Sequence, residues 1–288
     1  MSSTPLTTRV MGRIRRMVPN RVVQREVQGV LLSMPWSHRL PDYTRTFPEY
    51  GQNLVALAVA LAVDEPSFSV IDVGANIGDS ALQILDAVPG ARVMCVEGDE
   101  YWLRFLRMNT GTNERVSIVP ALIVDQASEL VAVRAKGTTR FVAGAGGTMP
   151  SLTGHELRAQ QDFDNVRLIK SDTDGYDTRI VPALAAAWTD SKPVLFLEYD
   201  PRLTRLAGDD DPLSVWDRLT DLGYADAVVW GNTGDLIGAM PMAELITGSA
   251  HIDHLADGDD SYWDVALAHT DDVQGRVALR RVVEATRA

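Results

Sequence analysis

Two periodicities alternate along the chain. Apolar runs, several of them β-branched, recur at residues 70–73, 91–96, 116–124, 166–170, 193–197, 225–230 and 263–268, as strands buried on both faces require. Between them apolar residues return every three or four positions: Ala81, Leu82, Ile84 and Leu85; Leu103 and Leu106 after Asp99; and Ile180, Leu184 and Trp188, with Pro182 close enough to the start to be tolerated. Further helices are predicted over 212–222 and 271–287. This alternation predicts an α/β fold with a doubly wound, mostly parallel seven-stranded sheet.

Ahead of the first strand, Asn20 is read as the N-cap of a helix through Val22, Val23, Val27, Val30 and Leu31. Pro35, Pro41 and Pro48 punctuate a loop, and a second helix starts at Gln52, with Leu54, Leu57, Ala58 and Leu61 on one face. The expected organisation is a helical N-terminal extension over 1–66, with a frayed start at 1–19, a central domain over 67–270 and a C-terminal helix over 271–288. Two short strand candidates at 130–133 and 140–142 precede a glycine-rich loop, 144–148, read as a linker.

Composition narrows the function. The 288 residues are 45% hydrophobic and 23% charged, enough to bury a full core. The formal net charge of -12 argues against nucleic acid as a partner, because phosphate binding needs a concentrated basic surface. The charge is uneven: before residue 51 eight arginines face only Glu26, Asp42 and Glu49, so this segment is suited to the protein's own acidic body, an anionic substrate or a carrier protein. Cys95, the single cysteine, lies in a strand-like run and reads as a buried structural thiol. With no signal-peptide pattern and no apolar stretch approaching the ~20 residues of a membrane span, the expectation is a cytoplasmic protein that admits a homo-oligomer.

The chemistry centres on residues 70–80, where a strand passes through Gly74 and Gly78 into a helix. Such a turn brings a helix N-terminus to the carboxyl edge of the sheet, where ligands bind. Three of the first five strands end in acids, Glu97, Asp172 and Glu198, and a carboxylate after the second strand suits the two hydroxyls of a ribose. NAD and S-adenosylmethionine both satisfy this. A dinucleotide fingerprint, however, has a glycine where this chain has Asn76, and Asp72 suits a cationic cofactor better than a pyrophosphate. The site residues assigned to S-adenosylmethionine are Asp72, Gly74, Ala75, Asn76, Gly78, Asp79, Ser80, Glu97, Gly98, Ala121 and Asp172.

The blocks Ile71-Asp72-Val73-Gly74-Ala75-Asn76-Ile77-Gly78-Asp79, Val96-Glu97 and Leu168-Ile169-Lys170-Ser171-Asp172-Thr173-Asp174-Gly175-Tyr176-Asp177 resemble the signature blocks of the FkbM-type methyltransferases. The resemblance covers about residues 68–200. It implies a class I methyltransferase fold, Rossmann-like, and O-methylation of a sugar or another secondary-metabolite hydroxyl in natural product biosynthesis. Where that family carries Asp-x-Glu-Gly-x-Glu, this chain keeps every acid but shortens the last two by a methylene. Asp172, beside the methyl-bearing end of the cofactor in this fold, is the first candidate for base or substrate orienter, and Asp174 the second. Asp177, in the first helical turn, is read as favouring the helix dipole.

Other readings stay open at this level. Clustered acids can hold Mg²⁺, which is not favoured, and no metal ligands are assigned. His251 and His254 read as ordinary loop residues, while Tyr50 and the arginines before it are candidates for a substrate lid. A nicotinamide oxidoreductase is disfavoured by Asn76 and by the lack of a Tyr-x-x-x-Lys relay, and a non-catalytic S-adenosylmethionine-binding protein is the third class.

Overall fold

The computed structural model describes residues 21–126, 130–135, 138–143, 150–160, 163–255 and 262–287. The chain opens with β1 (Val22–Val27) and β2 (Val30–Pro35), followed by α1 (Leu40–Thr46) and α2 (Gln52–Ala62). Then come β3 (Ser69–Val73), α3 (Asp79–Ala87), β4 (Arg92–Val96), α4 (Glu100–Thr110), β5 (Val116–Val119) and β6 (Leu122–Val124). An excursion of β7 (Leu130–Ala135), β8 (Thr138–Ala143), β9 (Ser151–Thr153) and α5 (Gly154–Gln160) leads back to β10 (Val166–Ser171), α6 (Asp177–Ala187) and β11 (Val194–Tyr199). The remainder is α7 (Pro201–Leu206), α8 (Ser214–Asp221), β12 (Tyr224–Gly231), β13 (Leu236–Pro241), α9 (Met242–Leu255), β14 (Trp263–His269) and α10 (Val273–Arg287).

The main sheet runs β13-β12-β14-β11-β10-β3-β4-β5. β5, β4, β3, β10 and β11 are mutually parallel, and β14 inserts antiparallel between β11 and β12. From β3 the chain winds outward through β4 and β5, then returns to the other side of β3 with β10. The strand order therefore reverses between β3 and β10, and a crevice opens at their carboxyl ends.

Side chains alternate across the sheet with the strand period of two. Ile71, Val73, Met94, Val96, Ile169, Leu195 and Leu197 pack on one face with α5, α6, α8 and α9. Val70, Val93, Cys95, Leu168, Val194 and Phe196 pack on the other with α2, α3 and α10. At the amino end of β10, away from the crevice, Arg167 is buried. Its guanidinium meets Asp272 at 2.8 Å and Glu65 at 3.0 Å and donates to Ser191 O at 3.0 Å, tying β10 to the segments before β3 and α10.

The fold is α/β, as expected, but the sheet has eight strands and is mixed. β13 supplies the eighth strand, which the sequence reading missed along with α5, α7, α9 and β9. The run 116–124 divides at Pro120. Only β5 joins the main sheet, while β6 pairs with β9. The N-terminal extension is not wholly helical: Val22 to Leu31 form a hairpin rather than a helix, and α1 occupies part of the expected loop. Val-rich β-branched sequence favours strand, and Gln28 (φ 48) and Gly29 (φ 88) make the two-residue left-handed turn that a tight hairpin needs. Residues 1–20, including Asn20, and the glycine-rich loop 144–148 lie outside the described residues.

The hairpin is seated rather than loose. Val27, Leu32 and Met34 pack on Ile77, Trp102 and Phe105. The Asn109 amide donates to Ser33 O and Ile77 O, at 3.0 and 2.8 Å, and accepts from Ser33 N–H at 2.7 Å.

Removing one partner of a buried ion cluster strands the other charges. Arg167→Met is expected to lower unfolding free energy in urea by about 3 kcal/mol. The double variant Arg167→Met/Asp272→Asn should recover part of that loss.

Candidate functional site

The turn after β3 is held by backbone geometry. Gly74 adopts φ 75 and packs so tightly that a Cβ would stand 1.9 Å from Asp172 O. The N–H groups of Gly74 and Ala75 both donate to Val96 O, at 3.0 and 3.2 Å, and that of Gly78 donates to Ala75 O at 2.7 Å. Asn76, at φ 49, donates its N–H to Glu97 Oε2 at 2.9 Å. Gly78 (φ 85) lets α3 start against Leu106 and Thr110, where a Cβ would stand within 2.8 and 2.9 Å. Asp79 is the first residue of α3, and burial raises its pKa.

Glu97 ends β4 and is buried. Its other oxygen accepts the Asp99 N–H at 2.8 Å, and Asp99 in turn caps α4 through Tyr101 N–H. Each carboxylate oxygen thus keeps lone-pair capacity for a further donor. Burial raises the Glu97 pKa to about 7, against the pull of the two N–H groups.

Two chambers meet at this edge. The first encloses about 620 Å³ and is lined by Gly74, Asn76, Glu97, Gly98, Ala121 and Asp172, among others. The second, about 1230 Å³, has Ala75, Asp79 and Ser80 in its wall. Gly74, Asn76, Trp102, Asp172 and Asp174 border both. All the sequence-assigned residues therefore gather here except Asp72 and Gly78, which sit behind the walls.

Asp72 is fully buried, and its carboxylate lies 2.9 Å from Lys170 Nζ, on the neighbouring strand in direct register. Lys170 also donates to Gly74 O at 3.2 Å and stands 3.8 Å from Asp172 Oδ2. Burial works against the lysine charge, but Asp72, Asp172 and Asp79 outweigh it and hold the ammonium above its ordinary range. Both Asp72 and Lys170 interrupt apolar strands, a pairing signal present in the sequence.

The 171–177 loop is knotted by Asp177. This buried carboxylate accepts from Ser171 Oγ at 2.6 Å, Thr173 N–H at 3.1 Å and Gly175 N–H at 3.3 Å. It organises the loop, a more specific role than favouring a helix dipole. The knot leaves the Asp172 side chain half exposed at the junction of the chambers, with Asp174 beside it at φ 53.

The second chamber contains residues that the sequence reading named without a catalytic or binding role, Glu198 and Tyr50 among them, and others it left out. Glu198, at the end of β11, pairs in register with Asp264 of β14. Burial, with Asp172 and Asp177 nearby, pushes Glu198 well up, and burial raises Asp264 to about 7 although Asn53 donates to it at 2.7 Å. Tyr50 and Tyr262 face the same space, their phenols held neutral by burial and the surrounding carboxylates. Tyr50 thus lines the chamber, as does Arg39 at its mouth. His38 meets Trp102 edge-on and lies 3.4 Å from Asn76 Oδ1, with burial lowering its pKa.

His251 is on α9 rather than in a loop and is exposed, and the backbone of His254 continues that helix. Among the described residues no group of three or more His, Cys, Asp or Glu side chains is placed to hold a metal ion, and no helix is long and apolar enough to cross a membrane.

No family model and no curated protein matches the chain. Among solved structures it is similar to the methyltransferase FkbM from Methylobacillus flagellatus KT, at 22% identity and TM-score 0.36, over 52% of this chain and 38% of that one. It also matches a precorrin-6y C5,15-methyltransferase from Geobacter metallireducens GS-15, at 15% identity and TM-score 0.39, over 75% and 87% of the two chains. A third match is an O-methyltransferase from Bacillus cereus in complex with SAH, at 12% identity and TM-score 0.42, over 74% and 80%. The chain spans well under half of the FkbM protein. These likenesses are distant.

Gly74→Ala combines a left-handed backbone with a collision against the Asp172 carbonyl, so it should cost about 3 kcal/mol or more and abolish ligand binding by calorimetry. Gly29→Ala, at φ 88 with nothing within 4 Å, should cost about 1 kcal/mol and leave binding intact.

Proposed function

We propose that this protein is an S-adenosylmethionine-dependent O-methyltransferase acting on a hydroxyl of a small acceptor, a sugar or another secondary metabolite. The observation that carries the reading is the engagement of the glycine-turn N–H groups. Gly74, Ala75, Asn76 and Gly78 all donate within the protein. A pyrophosphate needs such donors free. A cofactor with a neutral adenosine and a cationic methionyl end does not.

The residues present fit that group. Glu97 offers its remaining lone pairs to a ribose diol, and Gly98 lies where a Cβ would stand 2.1 Å from Leu122, leaving the chamber wall open. When bound, the cofactor supplies an electrophilic methyl group. Asp172, bordering both chambers, is assigned as the base that takes the proton of the acceptor hydroxyl, with Asp174 beside it as a second acid. Tyr50, Tyr262 and Glu198 enclose the acceptor.

Calorimetry with S-adenosylmethionine, SAH and NAD tests the class. The first two are expected to bind and NAD is not, and the reverse pattern overturns the reading. Binding without transfer to any hydroxyl acceptor leaves a non-catalytic binding protein. Asp172→Asn should reduce transfer at least a hundredfold while SAH affinity changes little.

Glu97 gives a pH signature. The diol prefers the ionised carboxylate, so protonation competes with binding. SAH affinity should be flat above about pH 8 and weaken as pH falls through about 7, by up to about tenfold per unit. In Glu97→Gln that slope should vanish, with weaker binding throughout.

A further inference from the structure

Among the described residues, Lys170 is the one side chain in the cleft that is both charged and more than nine-tenths buried while reaching the wall of the second chamber. An ammonium carries three N–H donors. One is donated to Gly74 O, 3.2 Å away, while Asp72 Oδ1, 2.9 Å away, pairs with the ammonium by charge without hydrogen-bond geometry. Asp172 Oδ2 lies 3.8 Å away, too far for a hydrogen bond. An oxygen placed about 2.8 Å from both atoms would close that gap, accepting from the ammonium and donating to the carboxylate.

We propose that Lys170 is a catalytic residue that binds the acceptor hydroxyl oxygen through an N–H not donated to Gly74 and stabilises the negative charge that develops there. The proposal rests on the methyl-transfer reading. In the step, the acceptor O–H bond breaks and its proton passes to Asp172. The oxygen pair forms the O–CH₃ bond, and the S–CH₃ pair leaves on sulfur, giving SAH. Lys170 stays protonated throughout, as its three carboxylate neighbours require, so it acts as a fixed cation and not as a base. Asp72 then has a purpose the sequence alone does not reveal: it orients the ammonium and balances its charge before any acceptor arrives.

A chromophoric hydroxyl reads this charge directly. 4-Nitrophenol is titrated with the protein in the absence of S-adenosylmethionine, and its ionisation is followed by phenolate absorbance. Bound to the wild type, its ionisation constant should rise at least about tenfold. Lys170→Arg should retain part of the shift. Lys170→Met alone leaves Asp72 buried without its partner, so the informative variant is Lys170→Met/Asp72→Asn, which removes both charges together. It should fold, bind SAH, and show no shift. An unshifted spectrum in the wild type, whether or not the phenol binds, overturns the proposal, as does an equal shift in the double variant. SAH binding is scored separately by calorimetry, so loss of the cofactor reading and loss of the Lys170 assignment are distinguishable results.

Discussion

A lysine and an aspartate face each other across β10 and β3 at the point where the strand order reverses, and the cleft is built outward from that contact. Burying two charges costs several kcal/mol per ion before their attraction is counted, so such a pair adds little net stability. Its effect is geometric. One ammonium reaches the Asp72 carboxylate and the Gly74 carbonyl and stands near Asp172, which fixes three strand-end groups relative to one atom. An apolar pair would hold the strands together equally well, but it would leave the carbonyl of the turn and the exposed acid without a common reference.

Around that centre the backbone removes donors while the side chains add acceptors. The amides of Gly74, Ala75, Asn76 and Gly78 are engaged internally, and Glu97, Asp172, Asp174 and Glu198 border the chambers. The result is a cleft hostile to phosphates and hospitable to cations and polyols. The net charge of -12 points the same way, and the local arrangement is what the proposed function rests on in disfavouring a dinucleotide. The absence of a second turn glycine at Asn76 hinted at this. The hydrogen-bonded N–H of the same residue supplies the stronger reason, because a donor already held by Glu97 is not free for an anion.

The strand and helix periods were legible wherever both faces of a strand are buried, which covers the parallel half and the glycine turn. Legibility failed where two periods coincide. Val23, Val27, Val30 and Leu31 satisfy helical spacing, yet the Gln28-Gly29 turn folds them into a hairpin. The acids at the ends of parallel strands could be placed at one edge by logic alone. Asp264 could not, because β14 runs antiparallel and brings its beginning, rather than its end, to the same edge as Glu198. Lys170 was quoted within a motif without being given a partner. Its register with Asp72 becomes visible only when β10 is seen to lie beside β3 rather than beside β5.

The reversed strand has a consequence for how such a protein can change. The first chamber is assembled from the glycine turn, the end of β4, Ala121 and the 171–177 loop, all within the parallel half. The second instead borrows from distant parts of the chain: His38 and Tyr50 before the sheet, Glu198 on β11, and Tyr262 just before β14. Under the proposed function, substitutions at His38, Tyr50, Glu198 and Tyr262 reshape the second chamber alone, while Gly74, Asn76, Trp102, Asp172 and Asp174 answer to both. The cleft thus draws one chamber from the parallel half and part of the other from segments outside it.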